Sequence, residues 1–237
     1  MAGLHRIPQV VRIWSLKLVT RTVGLGGTIA VKTQWHALIP AAFFLAAVAC
    51  GQGPKVPAAS VGIGGKLPAI QLTTVAGASD DLAHYAGKNG LVIIFVSTRC
   101  PYSNDYEMRM EELSHTAAQR GMGFVGVNAN RTEPAEEVVE HSKTDHLTFT
   151  ILKDANNRLA DILGASFTPE SYVFDQGGVL RYHGRIDDSR NAGNVSSHDL
   201  QGALDAVAAG KSVAPSETKA FGCTIKRVPN TSSGSGN

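Results

Sequence analysis

In Leu91-Val-Ile-Ile-Phe-Val-Ser-Thr-Arg-Cys100-Pro-Tyr-Ser103 an unbroken apolar run crosses three polar residues into Cys-Pro and then an amphipathic stretch. Leu91–Val96 has the continuous apolar character of a strand buried on both faces. Tyr102, Tyr106, Met110, Leu113 and Ala117 follow at spacings of four, four, three and four, painting one face of a helix that Gly121 stops. Cys100 thus lies between a buried strand and a helix start, where unpaired N–H groups and the positive end of the helix dipole converge. Those groups favour a thiolate over a thiol, which makes Cys100 a candidate nucleophile.

Upstream, alternation from Leu67 to Val75 predicts a first strand. Downstream, Gly123–Val127 reads as a strand, a helix begins around Glu133-Pro134 and runs towards His141, and Phe149–Leu152 is either a short strand or the approach to a packed helix. Leu159–Leu163 reads as helix closed by Gly164. Ser171–Phe174, the turn Asp175–Gly178 and Val179–Ile186 form a hairpin. A last helix starts near Ser196, which has capping-box spacing to Asp199, and buries Leu200, Leu204 and Val207 before Gly210. This order predicts one α/β domain with a central mixed sheet flanked by helices, over residues 66–212. An extended arm, 213–237, carries Cys223 and ends in a polar tail expected to be disordered.

The first fifty residues hold five Lys or Arg and no acid, and the remainder holds seventeen against twenty acids. The basic balance therefore belongs to a leader, and no basic patch points to nucleic acid. Within residues 1–50 the charge-free run Ala37–Ala49 has the length of a signal core and is short for a membrane span. Ala47-Val-Ala-Cys50 resembles a bacterial lipobox, with Ala47 departing from the usual leucine; that resemblance implies cleavage before Cys50 and a lipid on its sulfur. An ordinary signal peptide cut near Ala49 and an uncleaved anchor are the alternatives. Residues 1–30 are long for the basic region of such a signal, which leaves Val31 as an alternative start. Residues 51–65, rich in Gly, Pro, Ala and Ser, read as a flexible tether, so membrane contact is expected through lipid or leader alone. With Cys50 lipidated, an exported domain keeps two thiols, Cys100 and Cys223, in a compartment that permits disulfides.

Four segments carry a resemblance to the thioredoxin fold, and within it to the redoxins related to alkyl hydroperoxide reductase and thiol-specific antioxidant proteins, over about residues 62–227. They are Ser97-Thr-Arg-Cys-Pro-Tyr-Ser-Asn104, Phe167-Thr-Pro169, Tyr182-His-Gly-Arg-Ile-Asp-Asp188 and Lys219-Ala-Phe-Gly-Cys-Thr-Ile-Lys226. The first two are shared across the wider fold, the last two by a bacterial subgroup. The resemblance implies that Cys100 is the nucleophile and that Pro169 is cis beside it, with Thr168 shaping a docking groove. Ser103 stands where dithiol relatives carry a second cysteine, so Cys100 acts alone or with a distant partner; the serine hydroxyl is expected to donate to the thiolate. Cys223 is the candidate resolving cysteine, and Arg99 a neighbour that lowers the thiol pKa if it turns inward.

Peroxiredoxins place a proline, a hydroxyl residue and the cysteine at fixed spacing. Ser97 fits the hydroxyl, but Ile93 occupies the proline position, which weighs against peroxidase activity. Arg185 reads as a strand-end salt-bridge residue rather than an anion binder. His141 and His146 lack helical spacing and acidic or cysteine company in sequence, so no metal site is expected, and no organic cofactor is required. The expected chemistry is thiol–disulfide exchange with a protein or small-molecule disulfide, renewed by an external thiol; peroxide reduction and a non-catalytic binding module are the alternatives.

Overall fold

Strand β3 (Gly90–Phe95), the apolar run ahead of Cys100, is buried along its whole length at the centre of a seven-stranded sheet. The computed structural model describes residues 60–229; the leader with Cys50, most of the expected tether and the tail from 230 lie outside the described residues. β4 (Gly123–Asn128) runs parallel to β3 on one side, and β7 (Glu170–Asp175) runs antiparallel on the other. β5 (Thr150–Lys153) lies parallel beyond β4, followed by β1 (Gln71–Thr74) and β2 (Ser79–Asp81), both antiparallel to their neighbours. β8 (Leu180–Gly184) closes the other edge as the hairpin partner of β7, giving the order β2-β1-β5-β4-β3-β7-β8.

The period-two alternation of β3 divides the core. Leu91, Ile93 and Phe95 face Val125, Val127, Phe174 and the inner side of α4 (Arg158–Leu163). Val92, Ile94 and Val96 face Met110, Leu113 and Ala117 of α2 (Glu107–Gln119) and Leu200 and Leu204 of α5 (Asp199–Ala208), with Val138 of α3 (Ala135–Thr144) joining them. The result is the thioredoxin-like α/β arrangement, with Cys100 at the carboxyl end of the central strand.

Several elements differ from the sequence reading in instructive ways. The single helix expected after Cys100 is two, α1 (Pro101–Asp105) and α2, because the Tyr106 N–H bonds the Ser103 carbonyl at 3.0 Å and tightens that turn. Phe149–Leu152 resolves into β5. The capping box at Ser196 does not form: its N–H donates to Asp188 at 2.8 Å and its hydroxyl also serves Asp188, so α5 starts at Asp199 behind His198. The described end of the expected tether is tied down, with the Val61 N–H on the Ile162 carbonyl at 2.8 Å and the Gly64 N–H on that of Leu180 at 2.9 Å.

Ile93 is completely buried. Ile93→Ala is expected to cost about 2–5 kcal/mol, read as a lower urea midpoint with unchanged slope.

Candidate active site

Cys100 is the N-cap of α1, and Pro101 supplies the first helical residue without wasting an N–H. The residue is 2% exposed. Its thiol donates to the Thr168 carbonyl at 3.2 Å, and the Ser103 N–H approaches the sulfur at 3.4 Å. Burial alone would raise this thiol's pKa. Hydrogen bonds from the Cys223 thiol, the Thr168 side chain and the N–H groups of Ser103 and Cys223 outweigh it and bring the pKa below the usual thiol value. The stabilisation comes from these individual donors more than from a long helix, since α1 has only five residues.

Thr168 belongs to β6 (Phe167–Thr168), and the Thr168–Pro169 peptide is cis. The short loop that carries it hangs on Glu170, a buried carboxylate at the start of β7. One Glu170 oxygen accepts the N–H groups of Ser166 and Phe167 at 2.7 and 2.8 Å; the other meets His183 Nε2 at 2.6 Å and the Tyr172 hydroxyl at 3.0 Å. His183 in turn stacks on the Tyr172 ring. Burial opposes ionisation of Glu170, but His183 and the two N–H donors hold its pKa below the ordinary 4.5. Sequence reasoning passed over Glu170 because a glutamate in an apolar strand has no local signature of its four partners.

The arm reaches this loop. Cys223 and Thr224 form β9 and pair antiparallel with β6, placing Cys223 opposite Thr168 and Thr224 opposite Phe167. Phe221 seats edge-on against Tyr102 and Tyr106. Ile225 is buried in the core, and its N–H bonds the Ser166 carbonyl at 3.0 Å. Cys223 is half-buried; burial first, then the hydrogen bond and charge of the Cys100 sulfur, raise its pKa. Both cysteines are free thiols. The structure thus brings Cys100, Thr168, Pro169 and Cys223 together, with the pKa of one thiol lowered and that of the other raised.

Four other residues singled out in the sequence have side chains engaged elsewhere. Arg99 points outward and is held by Glu137, with Nε at 2.8 Å; it is absent from the contacts that lower the Cys100 pKa, while Arg99 and the Thr98 hydroxyl together take Glu137 down to about 2. The Ser103 hydroxyl accepts the Ser97 N–H at 3.2 Å, so the backbone of Ser103 serves the sulfur where the side chain was expected to. Ser97 donates its hydroxyl to Glu133 at 2.6 Å, and Arg185 is paired with Asp199 at 2.7 Å, in keeping with a salt-bridge role. Glu133, buried and read from the sequence only as a helix start, also takes the Thr98 N–H and Asn128 Nδ2.

The structure corrects the expectation that His141 lacks acidic company, since it meets Glu107 from another helix and Asp145 one helical turn on. Glu107 lies 2.5 Å from Nε2 and Asp145 3.2 Å from Nδ1, and among the described residues these three form the one group with metal-capable atoms within 4.8 Å of one another. With both ring nitrogens engaged, the trio links α2 to the end of α3.

Two expectations follow. Arg99→Ala leaves the alkylation rate of Cys100 within about twofold, as befits an exposed pair. Because the Glu170 pKa is lowered in the fold, its contribution is complete above the ordinary value and lost as pH falls through the folded one. The denaturant midpoint of wild type should therefore drop more steeply than that of Glu170→Gln from about pH 5 to about pH 3.

Residues 63–183 match the model of the AhpC/TSA family. A hypothetical protein of Sinorhizobium meliloti 1021 shares 30% identity over 74% of this chain and all of its own, with a TM-score of 0.66. An uncharacterized conserved protein of Geobacillus kaustophilus shares 27% over 72% of this chain and 95% of its own, with a TM-score of 0.67. No curated protein matches. The matched span contains the central strand, Cys100 and the Thr168–Pro169 loop, and the chain belongs to the AhpC/TSA family of thioredoxin-like redoxins.

Proposed function

We propose that the protein is a thiol–disulfide oxidoreductase in which Cys100 is the nucleophile and Cys223 resolves. The observation that carries this reading is the register of β6 and β9, which sets Cys223 across from the Thr168 whose carbonyl meets the Cys100 thiol. The Cys100 thiolate attacks one sulfur of a disulfide, forming a mixed disulfide and releasing the other sulfur as a thiolate. Cys223 then loses its proton and attacks the Cys100 sulfur, releasing the second thiolate and leaving a Cys100–Cys223 disulfide. Two external thiols reduce that disulfide and are themselves oxidised to one. No metal or organic cofactor enters these steps.

The proton placement supports the order of events. The thiol with the lowered pKa attacks first, and the one with the raised pKa stays protonated until the mixed disulfide has removed the competing negative charge. Hydroperoxide is the weaker substrate candidate. The Ser97 hydroxyl and the Arg185 guanidinium, which would polarise a peroxide, are committed to Glu133 and Asp199.

Export and a lipid on Cys50 complete the proposal on the sequence of the leader. Among the described residues no helix is long and apolar enough to cross a membrane.

The test is one equivalent of oxidised glutathione added to the reduced full-length chain carrying Cys50→Ser, followed by peptide mapping. A Cys100–Cys223 disulfide is expected, with Cys223→Ser leaving glutathione on Cys100 and Cys100→Ser unreactive. Glutathione persisting on Cys100 in the presence of Cys223 would remove the resolving role. Inertness of both cysteines would make the protein a binding module.

A further inference from the structure

The edge of a two-residue strand can take up an extended polypeptide by backbone pairing, and on β6 that edge carries Thr168, whose carbonyl meets the Cys100 thiol. In this chain the edge is taken. β9 makes the antiparallel pairing with Phe167 and Thr168 that a substrate strand would make, and it does so with a cysteine opposite Thr168.

The arm is fitted to this position at two glycines. A Cβ on Gly222 would come within 2.1 Å of the Thr168 carbonyl oxygen and 2.8 Å of its carbon, so the arm lies flat on the Thr168–Pro169 peptide only because residue 222 has no side chain. Gly222 also holds φ +150, in the region that favours glycine. Earlier in the arm, a Cβ on Gly184 of β8 would meet Thr218 Oγ1 at 2.1 Å, and Thr218 Oγ1 lies 2.7 Å from the Tyr182 hydroxyl.

Anchors hold the arm on both sides of the cysteine. Before it, the Thr218 N–H bonds the His183 carbonyl at 3.0 Å, and Phe221 rests on two tyrosines. After it, the Lys226 N–H donates to Asn130 Oδ1 at 2.7 Å, Arg227 pairs with Asp161, and the Val228 N–H donates to Asn157 Oδ1 at 2.7 Å. A polypeptide cannot pair with Thr168 unless these contacts are released. Cys100 itself is 2% exposed, and the half-buried Cys223 thiol is hydrogen-bonded to its sulfur.

We propose that the arm is a resident substrate strand: it bars polypeptides from the Thr168 edge and restricts Cys100 to oxidants of low molecular weight, a glutathione-sized disulfide being the class it serves. This selectivity rests on the exchange reading given above and specifies its substrate.

The experiment compares two oxidants on the reduced full-length chain carrying Cys50→Ser. One is oxidised glutathione; the other is an unstructured peptide bearing a single disulfide. Each rate of Cys100 oxidation, followed by acid quench and mass, is divided by that oxidant's rate with free cysteine. Wild type should favour glutathione by roughly tenfold or more, the effect of one lost strand-pairing contact or more. Gly222→Ala, which forces the arm off Thr168, and Phe221→Ala, which removes its wedge, should each shrink that preference several-fold, with melting curves confirming that the variants are folded. A peptide that oxidises wild type as readily as glutathione overturns the selectivity and leaves the oxidoreductase reading standing. A preference unchanged in both folded variants overturns the arm as its cause. Failure of both oxidants to react overturns the oxidoreductase reading itself.

Discussion

Glu170 is one residue past the cis peptide and almost without exposure, yet it carries a charge that four groups share. Two of them are backbone N–H groups of the loop that presents Thr168. A buried carboxylate is costly unless its lone pairs are filled, and filling them with backbone donors fixes the path of the chain. The Thr168 carbonyl, the Cys100 sulfur and the pairing of β9 all take their positions from that path. His183 ties the same carboxylate to β8, whose backbone holds the arm through Ser216 and Thr218. One charge therefore organises the floor under both sulfurs and the strand that brings the second one in.

A second buried network braces the other side of Cys100. Glu133 receives the Ser97 hydroxyl, the Thr98 N–H and Asn128, while Lys153 reaches Asn128 Oδ1 at 2.6 Å and the Glu133 carbonyl at 2.6 Å. Burial lowers the Lys153 pKa, and the nearby carboxylates oppose that change. Hydrogen bonds to charged groups contribute about 1.5–3 kcal/mol each, so the turn between β3 and α1 is rigid for electrostatic reasons before any packing is considered. The nucleophile sits between two such braces, and both consist of ion-bearing side chains from distant parts of the sequence.

What was legible beforehand follows from this. The strand Leu91–Val96, the cysteine at its end, the hairpin and the cysteine-bearing arm declare themselves through apolar runs and turn residues, which act locally, while the Thr-Pro loop is legible only through the family resemblance. Tyr182, His183 and Gly184 receive Thr218, a few residues ahead of the Phe-Gly-Cys that lies on Thr168. The directions taken by polar side chains were not legible. Arg99 beside Cys100 reads as its electrostatic helper until Glu137, on α3, claims it. Ser196 reads as a cap until Asp188 does the same. Of the two carboxylates on His141, Glu107 is far away in sequence, and only Asp145 is at helical spacing from it. The Tyr106 break reflects a ring buried under Arg109 with its hydroxyl on Asp187, another long-range pairing that a helical periodicity conceals.

The dependence of the site on β9 also orders its biogenesis. Translation delivers Cys100 with the first half of the sheet, whereas Phe221, Cys223 and Ile225 arrive after the whole of α5. Until they do, the Thr168 edge lacks its partner, the core lacks Ile225, and the Cys100 sulfur lacks the thiol whose hydrogen bond lowers its pKa. A nascent chain therefore passes through a stage in which its cysteine is uncovered but not yet activated. Reactivity and shelter are acquired in the same late step.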